Sequence, residues 1–206
     1  MSQTKINVGM IDASSIGDAK VLQGNGAWVT PSAGSLSFVS TAVASNSASI
    51  AFTGIDSSVD TWEIHFEGVV HATNSTFLYV TTSTDGGSSY ASGSYAYGNV
   101  GLSGAGVIYF SSSSAAQIQM TWDPARTGTA GTTNSHSGVF HIHKPSDSAL
   151  YSLMQWEMVT TDGTYANVHK GSGMHKVAAD VDAVKFAFSS GNITSGRFSL
   201  HKLAHA

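Results

Sequence analysis

The sequence predicts an all-β fold, a two-sheet antiparallel β-sandwich of the jelly-roll or lectin-like type with an extended N-terminal arm. About ten short apolar segments with turn residues between them follow one another at roughly even spacing. No stretch keeps a helical period for three turns, and no repeat of 20 to 50 residues is visible. We therefore expect two parts, an arm over residues 1–34 and a sandwich over residues 35–206.

Residues 1–34 hold no sustained period of either kind, so this segment lacks the apolar pattern of a core of its own. The dipeptide Asn25-Gly26 is a strong turn signal, and it predicts a small hairpin between the apolar pairs on either side. These pairs, Val21 with Leu22 and Trp28 with Val29, are our candidates for attachment or oligomer contacts. A frayed terminal arm is the alternative.

The predicted strands of the sandwich begin at Leu36. Short apolar strands are predicted at 36–39 and 48–52, and another over 76–82. Between them, a period of two places Trp62, Ile64 and Phe66 on one face of a strand. The opposite face carries Glu63, His65 and Glu67.

The segment Ser83-Thr-Asp-Gly-Gly-Ser-Ser-Tyr90 has the Ser-x-Asp-x-Gly-x-Ser-aromatic pattern of an Asp-box hairpin. In such a hairpin the Asp carboxylate accepts backbone N–H groups across the turn, and glycines supply positive φ. We interpret the motif as structural. Sialidase propellers carry several such boxes, and one copy argues against that fold.

The second half continues with strands. Residues 95–110 alternate weakly and are interrupted by glycines, 116–122 read as a strand, and 123–134 as a long loop. Strands are then predicted at 137–143, 150–159 and 165–173. The chain is expected to end in a closing hairpin, with Val184, Phe186 and Phe188 on one strand, a turn over 189–196, and Phe198 and Leu200 on the other.

Three stretches resemble β-sandwich modules of tailed-bacteriophage virion proteins, such as tail fibres and related appendages. They are Val21-Leu22 to Trp28-Val29, the region 36–97 with Gly-Ile-Asp-Ser-Ser-Val-Asp-Thr-Trp and the Asp-box, and the terminal Ser-Ser-Gly-Asn-Ile-Thr-Ser-Gly. The resemblance implies a homotrimer that contacts other virion proteins and binds host-surface polysaccharide. It also implies a location in the virion, after assembly in the host cytoplasm.

Composition narrows the function further. A net charge of −4 provides no basic surface for nucleic acid, and the absence of cysteine excludes disulfides and thiolate metal sites. The sequence contains no run of about 18 apolar residues, so no membrane span is predicted. It also contains no cofactor motif. Only 11% of residues are charged, which favours a surface that packs against copies of the same chain.

Three groups of residues are candidates for chemistry or binding. Glu63, His65 and Glu67 share one strand face, which is typical either of a metal or acid/base cluster or of an ordinary solvated or interface face. His141 and His143 also share a face, as in a transition-metal site on a trimer axis, although surface or core histidines show the same spacing. Tyr90, Tyr95 and Tyr97 are the candidates for stacking on sugar rings, with packing under turns as the alternative.

We expect a non-enzymatic structural virion protein, a tail fibre or receptor-binding appendage, that uses no cofactor. Two alternatives remain open. One is a capsid decoration or cement protein built on the same arm and sandwich. The other is a sandwich-type polysaccharide depolymerase that uses Glu63 and Glu67.

Overall fold

The computed structural model describes residues 21–22, 28–29, 36–104, 106–121, 130–131 and 133–204. The chain divides into two compact units, Met1–Gly34 and Ser35–Ala206. In the first unit, β1 (Val21–Leu22) pairs antiparallel with β2 (Trp28–Val29). Val21 lies opposite Val29 and Leu22 opposite Trp28, which confirms the predicted hairpin. The predicted turn at Asn25-Gly26 lies outside the described residues.

Twelve strands form the described part of the second unit. They are β3 (Leu36–Ser47), β4 (Ile50–Thr53), β5 (Thr61–His71), β6 (Leu78–Ser83), β7 (Tyr95–Ser103), β8 (Gly106–Ala115), β9 (Ile118–Gln119), β10 (Ser135–His143), β11 (Tyr151–Thr161), β12 (Ala166–Ala178), β13 (Ala183–Phe188) and β14 (Ile193–Leu203). Across the described residues, no helix is long and apolar enough to pass through a bilayer.

These strands form two antiparallel sheets that pack as a sandwich. The larger sheet has eight strands in the order β3-β14-β5-β10-β11-β12-β7-β8, and the smaller has four in the order β4-β13-β6-β9. The predicted all-β, two-sheet antiparallel sandwich is therefore confirmed. We call the side of the eight-stranded sheet that faces away from the smaller sheet its outer face.

The core between the sheets is built by strand alternation. On β5, Trp62, Ile64 and Phe66 are fully buried as predicted, because a period of two turns every second side chain toward the smaller sheet. Phe66 also belongs to a group of aromatic rings from both sheets. Phe186 lies 5.5 Å from Phe198 and 5.4 Å from Phe140, measured between ring centroids. These contacts hold the two sheets together.

The predicted closing hairpin is wrong. β13 is an inner strand of the four-stranded sheet, whereas β14 pairs with β3 and β5 in the eight-stranded sheet. The chain therefore crosses from one sheet to the other over residues 189–192, and the two strands face each other through the core. The alternation of apolar residues does not distinguish a hairpin within one sheet from two strands in opposite sheets, because Phe186 and Phe198 point to the core in both arrangements.

Three other strand predictions need correction. The strand predicted at 36–39 continues to Ser47, and the strand predicted at 116–122 reduces to β9. Residues 95–110, which glycines seemed to interrupt, form the long antiparallel pair β7 and β8. Gly101 explains this case, since an added Cβ would lie 2.7 Å from the Val168 carbonyl oxygen of β12. The glycine marks close packing within the sheet rather than a break.

Candidate functional site

Two adjoining depressions lie on the outer face of the eight-stranded sheet, over β10, β11, β12, β7 and β8. Their volumes are about 570 and 600 Å³, within the range of small-molecule sites. They share Gly98, Gln155 and Ser172, which follow one another across three neighbouring strands. We call these three residues the waist.

Two of the three waist residues, Gly98 and Ser172, are small. An added Cβ on Gly98 would have no heavy atom within 4 Å, so this glycine opens the surface instead of filling a gap in the packing. Ser172 lies directly opposite Gly98 on the neighbouring strand, and Gln155 lies opposite Ser172. The waist therefore presents one carboxamide and one hydroxyl group, which both donate and accept hydrogen bonds.

Beyond the waist, the first depression combines a charged pair with the aliphatic side chains of Val100 and Val139. Glu157 and Lys170 stand opposite each other on β11 and β12, with the Lys170 Nζ 3.1 Å from Glu157 Oε2. Both side chains are more than half exposed, so the pair is a weak stabiliser and remains available to a ligand. His141 lines the same depression from β10.

Beyond the waist, the second depression combines apolar side chains with serines of β8. Leu153, Met174 and Ala96 lie side by side on β11, β12 and β7. His143 adds an imidazole at the margin, and burial lowers its pKa, with a smaller contribution from the neighbouring His141. The two depressions together therefore form one surface in which polar and apolar groups are mixed, with the Glu157–Lys170 pair at one end.

Glu63 lies beside this surface between two imidazoles. Its Oε2 is 2.8 Å from Nε2 of His141, and its Oε1 contacts Nε2 of His65. Burial alone would raise the pKa of Glu63, but the hydrogen bonds from His65 and His141 outweigh this effect and bring the pKa below its usual value. Glu63 is consequently a stable carboxylate that holds His141 in place.

The other acidic and histidine candidates are placed less favourably for chemistry. Glu67 is exposed and lies opposite Arg197 of β14. It is four residues after Glu63 on β5. The rings of His141 and His143 are parallel, with centroids 6.0 Å apart. Among the described residues, no group of three or more His, Cys, Asp or Glu side chains is arranged to hold a metal ion.

The three candidate tyrosines occupy different environments. Tyr95 is completely buried, its ring stacked on His175 and its hydroxyl accepting a 2.8 Å bond from the Thr82 amide, so it has no surface for a sugar. Tyr90 is partly exposed below the Asp-box, with Lys185 Nζ 4.1 Å from its ring centroid. Tyr97 is half-buried on the core side of the sheet, where its ring lies 6.0 Å from that of Phe110 and its hydroxyl donates to Gln119 Oε1 of β9 at 3.4 Å, so its ring does not face the depressions.

The Asp-box has the predicted geometry. The Asp85 carboxylate accepts the Ser89 amide at 2.8 Å and the hydroxyls of Ser83 at 2.7 Å and Ser89 at 2.5 Å. Gly86 and Gly87 have positive φ of 73° and 85°. These contacts are local to the turn, as the structural interpretation requires, but the predicted hairpin is wrong, because β6 lies in the four-stranded sheet and the next strand, β7, in the eight-stranded sheet.

Sequence reasoning missed the waist and the Glu157–Lys170 pair. The outward direction of Gln155 and Glu157 was readable, because they alternate with the buried Met154, Trp156 and Met158. The neighbour relation between β11, β12 and β7 could not be predicted from the sequence, since β7 precedes β12 by more than sixty residues.

Comparison with protein-family models, with curated proteins and with solved structures finds no match for this chain.

Proposed function

We propose that this chain is a structural virion protein of a tailed phage, a tail fibre or receptor-binding appendage, and that its sandwich binds host-surface polysaccharide on the outer face. The observation that supports this most is the open, two-part depression with the waist at its centre. An open surface that ends in no closed cavity suits a polymer that passes across it, because the ligand continues beyond the site at both ends.

The chemistry of the surface also suits a glycan. Hydroxyl-rich sugars require groups that donate and accept hydrogen bonds, which Gln155, Ser172 and the Glu157–Lys170 pair provide. Leu153 and Met174 add apolar contact for the ring faces or for methyl and acetyl substituents. The resemblance of the sequence to phage appendage modules supports the assignment to a virion.

A binding assay tests the polysaccharide proposal. We expect the full chain to bind at least one member of a panel of purified bacterial capsular polysaccharides and lipopolysaccharide O-antigens, measured by biolayer interferometry. Ser172→Trp, which fills the waist, is expected to weaken that binding at least tenfold. Ser148→Trp places the same side chain at an exposed turn away from the depressions and is expected to leave binding unchanged.

Two outcomes would count against this proposal. Equal weakening by both tryptophan variants would show that the outer face is not the binding surface. Labelling of intact particles that marks heads instead of tails would favour the capsid decoration alternative.

The depolymerase alternative has a separate test. The Glu63 carboxylate is held ionised by two histidines, which suits a positioning role better than the proton donation required of a general acid. We expect no release of reducing ends from a bound polysaccharide, and the same background from Glu63→Gln. Release that disappears in this variant would establish an enzyme.

A further inference from the structure

The two sheets differ in the length of their edge strands. The four-stranded sheet ends in β4 and β9, which have four and two residues. The eight-stranded sheet ends in β3 and β8, which have twelve and ten. Short edges present few unpaired backbone groups, whereas long ones form a template for another strand. The larger sheet therefore carries the edges that need a partner.

The composition of these long edges strengthens the point. Natural sheets usually protect exposed edges with charged residues or proline, yet neither β3 nor β8 contains either. The inner strands of the same sheet do carry charges, including Glu63 and Glu67 on β5, Glu157 on β11 and Lys170 on β12. Charged residues thus lie on inner strands and are absent from β3 and β8, whereas charges on the edge strands are what prevents sheets of different copies from pairing.

Large apolar side chains stand exposed on both edges. Phe38 and Val43 of β3 are 63% and 66% exposed, and Val107 and Tyr109 of β8 are 68% and 86% exposed. No described strand pairs with the outward side of β3 or β8, so each edge combines unpaired backbone with apolar side chains, as strand addition requires.

Strand polarity identifies the partner. Every neighbouring pair in the eight-stranded sheet is antiparallel, and because the number of strands is even, β3 and β8 run in opposite directions. A second copy that places its β3 beside β8 of the first therefore continues the antiparallel order without a break. We propose that this chain assembles head to tail with copies of itself by pairing β8 of one copy with β3 of the next.

Such a contact uses two different surfaces of each copy, so it closes into a ring when the rotation between copies permits. Light scattering coupled to size exclusion tests this first. We expect the wild-type mass to be a multiple of the 21.3 kDa chain, and Val107→Lys to reduce it to a single chain. Val177→Lys, at an exposed position on the inner strand β12, is expected to leave the mass unchanged.

Cross-linking then identifies the pairing, and the absence of native cysteine makes it unambiguous. Val107→Cys is combined in turn with Thr41→Cys, Val43→Cys and Ser45→Cys to sample the register of β3. Under mild oxidation we expect one combination to give covalent oligomers, while each single-cysteine variant stays at the mass of one chain in a denaturing gel. Dimers from Val107→Cys alone would show that β8 pairs with itself and would overturn the proposal.

A wild-type protein that remains a single chain at micromolar concentration would also overturn it. Oligomers that survive Val107→Lys and give no cross-link in any combination would do the same, because a different surface must then hold them. These outcomes are separable from the proposed function, since polysaccharide binding is measured on the outer face whether or not the edges pair.

Discussion

Gly171 and Gly98 lie on the neighbouring strands β12 and β7, but a methyl group added to each would meet very different surroundings. At Gly171 the new Cβ would lie 2.2 Å from the edge of the Trp156 ring. Trp156 has little freedom to move away, because it is fully buried and its indole N–H donates to the Met120 carbonyl oxygen at 3.1 Å.

We therefore expect Gly171→Ala to lower the free energy of unfolding by about 1–3 kcal/mol, the usual range for overpacking a filled core. The measurement is urea denaturation followed by tryptophan fluorescence. Gly98→Ala is the matched control and is expected to change stability by less than about 0.5 kcal/mol, since its Cβ would meet nothing within 4 Å. Equal effects of the two substitutions would contradict the packing described for Trp156.

At the scale of single elements, the Asp-box turn after β6 has a distinctive proton equilibrium. Hydrogen bonds from Ser89, first from its hydroxyl and then from its amide, lower the pKa of Asp85 to about 2, and Ser83 adds to the effect. Because this pKa is depressed relative to the unfolded chain, the carboxylate contributes stability above pH 4. That contribution is lost as the pH falls through 2.

We expect the Asp85 carboxyl carbon to titrate in NMR with a midpoint near 2, and Asp85→Asn to loosen the turn at neutral pH. Faster amide exchange at Ser89 would report the loosening, because its N–H loses the acceptor. Asp60→Asn, which removes an exposed carboxylate 4.0 Å from Lys144, serves as the control and should leave that exchange rate unchanged. A midpoint near 4 for Asp85 would contradict these hydrogen bonds.

Local alternation was enough to predict the faces of several strands. It separated the buried and outward sides of β5 correctly, and it placed His141 and His143 together on one side of β10. It also predicted the Asp-box contacts, because these lie within seven residues of sequence. Where a feature depends on residues close in the chain, the sequence contains the information.

Features that depend on sheet order were not predictable. β13 and β14 have the alternation of a hairpin, yet they belong to different sheets, and only the partners of each strand reveal this. The waist is a similar case, since Gly98 meets Ser172 through a pairing between strands distant in sequence. Tyr95 failed as an exposed aromatic because its strand turns it toward Thr82 and His175 in the core.

At the scale of the whole molecule, the core between the sheets contains an unusual number of imidazoles. His136, His169 and His175 are buried in addition to His71, whose ring centroid lies 5.5 Å from that of His136. Burial lowers the pKa of His136 to about 3, and the neighbouring His71 lowers it further. The hydrogen bond that His136 Nδ1 donates to the Val69 carbonyl oxygen raises this pKa by a smaller amount. Burial likewise lowers the pKa of His169 to about 4.

These shifts predict that the sandwich loses stability in mild acid. Both histidines titrate near 6.5 in the unfolded chain, so the unfolded state binds more protons below that pH, and the stability present above 6.5 declines as the pH falls toward 4. Each neutral histidine adds a slope of about 1.4 kcal/mol per pH unit in this window. Urea denaturation from pH 8 to pH 4.5 measures the slope, and His136→Gln is expected to reduce it by about 1.4 kcal/mol per pH unit, the contribution of one histidine. Ser148→Gln, which adds a neutral side chain at an exposed turn, is the control that should leave the slope unchanged, and a wild-type stability that stays constant down to pH 4.5 would contradict the burial of these rings.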